Sequence, residues 1–172
     1  MTSSNKQNLD QLVADQCLKL FSDYQLQLGV GVPRDALVDR QFLLCSVIGF
    51  TAKHMRGALV LATTSEPLER TNPAETRSHR DWICELSNQL LGRVKNQLLH
   101  RRVEVHPSTP VALCGDHLSP ILQQQQLVAE LFTAGGGAVG VWMDCEFDEG
   151  FELPDDALVD AAPVAEGEML LF

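Results

Sequence analysis

The sequence predicts an α+β fold in which one antiparallel sheet packs against two long helices. Three observations carry that expectation. Residues 8 to 28 and 79 to 99 place their apolar side chains at helical spacing. Residues 41 to 52 and 57 to 64 are continuous apolar runs joined by a link too short for a crossover helix. Residues 139 to 147 alternate, with Val139, Val141, Met143, Cys145 and Phe147 on one side and Trp142, Asp144 and Glu146 on the other.

A chain of 172 residues is long enough for one domain with a buried core and short for two. No run of about 18 apolar residues is present, and Met1 to Asp10 lacks the apolar centre of a secretory signal, so a soluble, cytoplasmic protein is expected. Cys17, Cys45, Cys84, Cys114 and Cys145 are widely spaced, odd in number and without a CxxC pair. They read as reduced packing residues. All 13 Lys and Arg side chains lie at or before Arg102, whereas residues 103 to 172 carry 13 carboxylates and no basic residue. That acidic half repels phosphate backbones and anionic lipid, which argues against nucleic acid or membrane as the partner.

Taking the elements in order, residues 1 to 7 are polar and expected to fray. From Asn8 to Leu28 the residues Leu9, Leu12, Val13, Cys17, Leu20, Phe21 and Tyr24 mark a helix, and Gly29 stands where it would stop. Gly29 to Pro33 reads as a loop; its GVGVPR run lacks the third glycine and the preceding strand of a dinucleotide site. Gln41 to Ala52 and Gly57 to Thr64 read as central strands forming a hairpin through Lys53, His54 and Met55. Ser65 to Arg77, with Pro67 and Pro73, reads as loop. Ser78 and Asp81 make an S-x-x-D start signal for a helix from about His79 to about Leu99.

Arg102 to Leu113 reads as a strand that Pro107 and Pro110 confine to an edge. Gln125 to Thr133 is ambiguous between helix and strand and is assigned as strand, because Gly135 to Gly137 make a turn into the alternating strand that follows. Asp148 to Phe172 is acidic, contains Pro154 and Pro163, and is expected to pack loosely apart from Met169 to Phe172. A strand left at an edge invites a second copy, so a homodimer is expected.

The second helix carries the candidate site. At roughly 100° per residue, Asp81, Glu85, Asn88, Gly92 and Lys95 fall within a stripe about 80° wide, opposite Ile83, Leu86, Leu90, Val94 and Leu98. An ordinary solvated face is built of long, interchangeable charges. This one sets a carboxylate, an amide and a glycine in a row. Asp81 is explained by the cap and the positive helix start. Glu85, a like charge one turn further in, is not, and it calls for either plain solvation or an external cation. Gly92 costs about 0.8–1 kcal/mol relative to alanine inside a helix, which close packing within the protein or against a partner's backbone would offset.

The pattern of Asp81, three residues, Glu85, two residues and Asn88, followed by Gly92, Lys95 and Pro110, resembles the active helix of the CheC and CheX family of chemotaxis phosphatases. Pro110 follows Asn88 after 21 residues, one fewer than the family spacing. CheC-type members carry two such helices, and the single copy here looks CheX-like. The likeness covers roughly Gln41 to Phe147, leaving the acidic segment outside it. It implies a CheC/CheX-like α+β fold and hydrolysis of the aspartyl phosphate on a CheY-like response-regulator receiver domain. Glu85 would pair with the receiver's lysine and Asn88 would orient the attacking water, with Asp81 and Gly92 completing the partner-binding face. Such an enzyme needs no cofactor or metal ligand of its own, because the receiver supplies Mg²⁺.

Two other classes of function fit the same residues. One is a non-catalytic CheX-like adaptor that binds a receiver or a flagellar switch component; the other is a purely structural dimer. Asn88 favours the enzyme, since simple docking has no need of it. The remaining signals are weak. His54, His79, His100, His106 and His117 include no HExxH and no pair at i and i+4. Cys114, Asp116 and His117 share a loop whose Gly115 and Pro120 mark an ordinary turn. No G-x-S-x-G elbow accompanies the scattered Ser, His and Asp residues, and Gly135 to Gly137 lack the Gly-Lys-Ser/Thr of a phosphate loop.

Overall fold

The computed structural model describes residues 2–30, 43–73, 78–115 and 127–154. It contains helices α1 (Thr2–Asp23), α2 (Ser65–Thr71) and α3 (His79–His100). The strands are β1 (Gly29–Val30), β2 (Leu43–Thr51), β3 (Met55–Thr63), β4 (His106–Pro107), β5 (Val111–Gly115), β6 (Leu127–Phe132) and β7 (Ala138–Phe147). Among the described residues the architecture is the predicted one, an antiparallel sheet with two long helices, plus a short third helix.

The sheet runs β1-β6-β7-β3-β2, and β4 and β5 both pair the far side of β2. Every pairing among the described residues is antiparallel. The β2–β3 hairpin forms as the apolar runs require, with Thr51 opposite Arg56 and Leu44 opposite Thr63. One sheet face carries Leu44, Ile48, Phe50, Leu59, Leu61, Val141 and Met143, which join the apolar stripes of α1 and α3 in a single core. The alternation of β7 is as read from the sequence, since Val139, Val141, Met143 and Cys145 are buried in that core. The other face holds a smaller cluster of Cys45, Val60 and Ala62, with Val47 and Trp142 against it. Cys17, Cys45 and Cys145 are buried free thiols, Cys84 is half-buried and Cys114 is exposed.

Several boundaries differ from expectation. Residues 2 to 7 are helical where fraying was expected: α1 begins at Thr2, and Asn5 is buried at 4% exposure. Its amide donates to the Phe151 carbonyl at 2.7 Å and accepts from the Leu153 backbone N–H at 2.9 Å. The same bonds correct the start of the acidic segment, where residues 148 to 154 are tied down and Leu153 is buried; residues 155 to 172, including Met169 to Phe172, lie outside the described residues.

Helix α1 stops before Gly29 reaches it. Gln25 takes a left-handed φ of 60°, the Leu26 N–H bonds to the Phe21 carbonyl at 3.0 Å and the Gln25 N–H to that of Ser22 at 2.9 Å. This is a Schellman closure, built on glutamine in place of glycine. Helix α3 ends in the same way, with Arg102 at φ 62°, the Val103 N–H on the Leu98 carbonyl at 2.9 Å and the Arg102 N–H on that of Leu99 at 2.9 Å. In both closures an apolar pair, Phe21 with Leu26 and Leu98 with Val103, is buried.

Gly29 itself begins the two-residue strand β1, not a loop, and residues 31 to 33 of the expected loop lie outside the described residues. The expected loop at Ser65 to Arg77 contains α2, because Pro67 sits in the first turn, where its missing N–H has no intrahelical partner to lose; residues 74 to 77 lie outside the described residues. The expected strand at Arg102 to Leu113 is divided into β4 and β5, which both border β2 as an edge, so the prolines break the strand as well as confine it. The β6–β7 turn needs its glycines: Gly136 has φ 84°, and a side chain at Gly137 would collide with the Glu66 carboxylate. That carboxylate accepts from the Thr133 hydroxyl at 2.7 Å and pairs with Arg70 at 3.0 Å, which seats α2 on the turn.

Candidate functional site

Helix α3 begins where the sequence indicates. The Ser78 hydroxyl accepts from the Asp81 N–H at 3.2 Å and donates to the Asp81 carboxylate at 2.6 Å. Trp82, Ile83, Leu86, Leu90, Leu91, Val94 and Leu98 bury one side of the helix against the sheet and α1. The opposite stripe is left accessible: Asp81 is exposed, and Glu85, Asn88, Gly92 and Lys95 are partly exposed. The rod is therefore held rigidly by its apolar side while four sequence-predicted residues, Asp81, Glu85, Asn88 and Gly92, share the other. Asp81 is engaged in the cap. Pro110 is partly exposed just ahead of β5.

Glu85 and Asn88 stand in different surroundings. The Glu85 carboxylate accepts from the Gln89 amide nitrogen at 3.0 Å. Gln89 in turn accepts from the Tyr24 hydroxyl at 2.9 Å. Chemistry fixes the orientation of that amide, because an ionised carboxylate can only accept and must face the NH₂ group. Among the described residues the Asn88 amide has no hydrogen-bond partner. An amide left with both donor and acceptor capacity, on a helix face open to a visitor, can accept from a water and donate toward an anion without titrating.

Residues outside the motif hold it in place. The Tyr24 ring meets Trp82 edge-on, with centroids 5.5 Å apart at 88°. The Trp82 indole N–H donates to the Thr71 hydroxyl at 2.9 Å, and that hydroxyl donates to the Pro67 carbonyl at 2.7 Å. Beside Glu85, burial pushes the Cys84 thiol upward, with a weak contact from the Ser46 hydroxyl at 3.9 Å acting the other way. Cys84 therefore stays a neutral thiol. Among the described residues no group of three or more His, Cys, Asp or Glu side chains could hold a metal ion, and no helix is long and apolar enough to cross a membrane. Gln89 and Tyr24 were missed from sequence. The only available signal was the Glu-to-Gln spacing at i and i+4.

No family model matches the sequence, and no curated protein is significantly similar to it. Solved structures do match. The chemotaxis protein CheX from Vibrio vulnificus aligns with a TM-score of 0.65 at 14% identity, covering 79% of this chain and 95% of that one. A chemotactic CheC-like protein from Shewanella oneidensis aligns at 0.61 with 16% identity, covering 81% and 99%. The fold is that of the CheX and CheC-like chemotaxis proteins. A third match is CheX in a CheX–CheY–BeF₃–Mg²⁺ complex from Borrelia burgdorferi, at TM-score 0.59 and 11% identity over 79% of this chain and 96% of that one. At these identities the CheX-like fold is what the chains have in common, and the residues of α3 carry the functional argument.

Proposed function

We propose that this chain is a CheX-like phosphatase that hydrolyses the aspartyl phosphate of a CheY-like receiver domain. The observation that carries the reading is the Asn88 amide, without a hydrogen-bond partner among the described residues, one turn beyond a carboxylate that is itself held in place. The CheX–CheY complex of B. burgdorferi supports the choice of partner.

Glu85 pairs with the receiver's active-site lysine and sets the two proteins in register. Asn88 orients a water in line with the phosphorus. The water oxygen bonds to phosphorus as the phosphorus–carboxylate bond breaks, leaving inorganic phosphate and the free aspartate. Phosphoryl transfer depends mainly on positioning and charge stabilisation, so one amide can supply about 10²-fold, or about 2.7 kcal/mol. Mg²⁺ held by the receiver's own carboxylates neutralises phosphoryl charge. The protein works in the cytoplasm as a homodimer. The unpaired outer edge of β5 among the described residues favours the dimer, since Val111 and Leu113 are 58% and 48% exposed there.

A phosphate-release time course with a phosphorylated CheY-like receiver tests the reading. Acceleration by the wild type that Asn88→Ala abolishes supports it. Tight binding without acceleration makes the chain an adaptor, and decay unchanged at high micromolar protein overturns the activity for that receiver.

A further inference from the structure

Glutamate side chains have three rotatable bonds, and a partly exposed one ordinarily samples several rotamers that a docking partner must freeze. Glu85 is not left in that condition. One of its oxygens accepts from Gln89 at 3.0 Å, and Gln89 is itself fixed from the far side by the Tyr24 hydroxyl at 2.9 Å. Tyr24 is the last residue before the left-handed Gln25 of the Schellman closure, and its side chain reaches Gln89 and Trp82 on α3. Its ring is further held edge-on against Trp82. The relay thus passes from a helix end, through two side chains, to the carboxylate.

We propose that Gln89 and Tyr24 are positioning residues that hold the Glu85 carboxylate in its docking geometry before the receiver arrives. The proposal rests on the phosphatase reading of Glu85. A held carboxylate meets the receiver's ammonium without first losing rotamer freedom, so the relay acts on association with the receiver and not on the hydrolytic step. Gln89 fits this role better than a cation would. A lysine or arginine at position 89 would compete with the receiver's lysine for Glu85, whereas a neutral donor orients the carboxylate and leaves its charge intact.

The test uses Gln89→Leu, Tyr24→Phe, which keeps the ring on Trp82, and Glu85→Gln. Both relay variants are expected to raise KM for the phosphorylated receiver about three- to tenfold with kcat held within about twofold of wild type. In the Glu85→Gln background Gln89→Leu should add no further rise, because the relay then has no charge to present. Three-bond couplings of the Glu85 side chain should report one rotamer in the wild type and averaging in both relay variants. A wild-type KM in Gln89→Leu and Tyr24→Phe while Glu85→Gln raises it overturns the proposal, as does a single Glu85 rotamer persisting in the variants. Failure of the wild type to accelerate any receiver overturns the phosphatase reading alone, since the couplings still report whether the relay holds Glu85.

Discussion

The Arg93 guanidinium donates to the Asp23 carboxylate across 2.7 Å, one turn of α3 beyond the bond from Tyr24 to Gln89. Asp23, the last residue of α1, and Tyr24, the residue after it, therefore grip two consecutive turns of the motif helix. Arg93 is 14% exposed and Asp23 64% exposed, so solvent screens the pair and its energetic contribution is modest. Its geometric effect is larger, because α1 and α3 cannot slide past one another while both contacts persist.

The proposed division of labour on α3 predicts different kinetic signatures for Glu85 and Asn88. Asn88→Ala should lower kcat about 10²-fold with receiver affinity within about twofold of wild type. Glu85→Ala should weaken binding and reduce its dependence on salt, since a docking ion pair is lost. Binding isotherms at two ionic strengths beside single-turnover decay separate the effects. Equal loss of affinity in both variants contradicts the assignment.

The non-glycine helix closures predict a stabilising substitution. Arg102 and Gln25 sit at φ 62° and 60°, where a Cβ is strained. Arg102→Gly should raise stability by about 0.5–1 kcal/mol, seen as a higher urea midpoint at unchanged slope. Gln25→Gly should act in the same direction. A lower midpoint for Arg102→Gly would mean that its side chain contributes more than the strain costs.

Buried thiols predict a loss of stability at alkaline pH. Burial pushes Cys17 up to about 12 from an ordinary value of 9.0, Cys145 to about 12 and Cys45 to about 11. Above about pH 9 the unfolded chain releases these protons while the folded protein keeps them, so the unfolded state binds fewer protons and stability falls as pH rises. Below pH 9 the term is fully present. Cys17 alone contributes a slope of up to about 1.4 kcal/mol per pH unit across the window from 9 toward 12. Denaturant melts between pH 8 and 11 should show the fall, and Cys17→Ala should flatten it although it lowers stability at neutral pH.

The exposed apolar pair on β5 predicts where self-association would be broken. Val111→Lys with Leu113→Lys should convert a dimer to a monomer in sedimentation equilibrium, with the unfolding midpoint at low concentration little changed. A dimer surviving both changes would place the interface elsewhere.

Much of this protein was legible in its residues, for reasons that differ by element. The apolar runs of β2 and β3, the alternation of β7 and the Ser78 cap of α3 are local signals, and each appears where the residues place it. The shared face of Asp81, Glu85, Asn88 and Gly92 follows from helical periodicity alone. Helix ends were less legible, since Gln25 and Arg102 do the work of a glycine and carry no mark of it. Helix α2 was hidden because Pro67 signals a break except in a first turn. Asn5 reads as a surface amide until Phe151 and Leu153 are brought beside it. Gln89 is of the same kind, as its importance depends on where Tyr24 is placed by the fold.

The bonds made by Asn5 span 146 and 148 positions of the chain. On the ribosome, α1 emerges before the sheet yet cannot complete its contacts until the residues after β7 have left the exit tunnel. Its apolar stripe, Leu9 to Phe21, must wait in the open while the sheet that will cover it is still being made. A chaperone that shields this one amphipathic segment during synthesis would cover it through that wait.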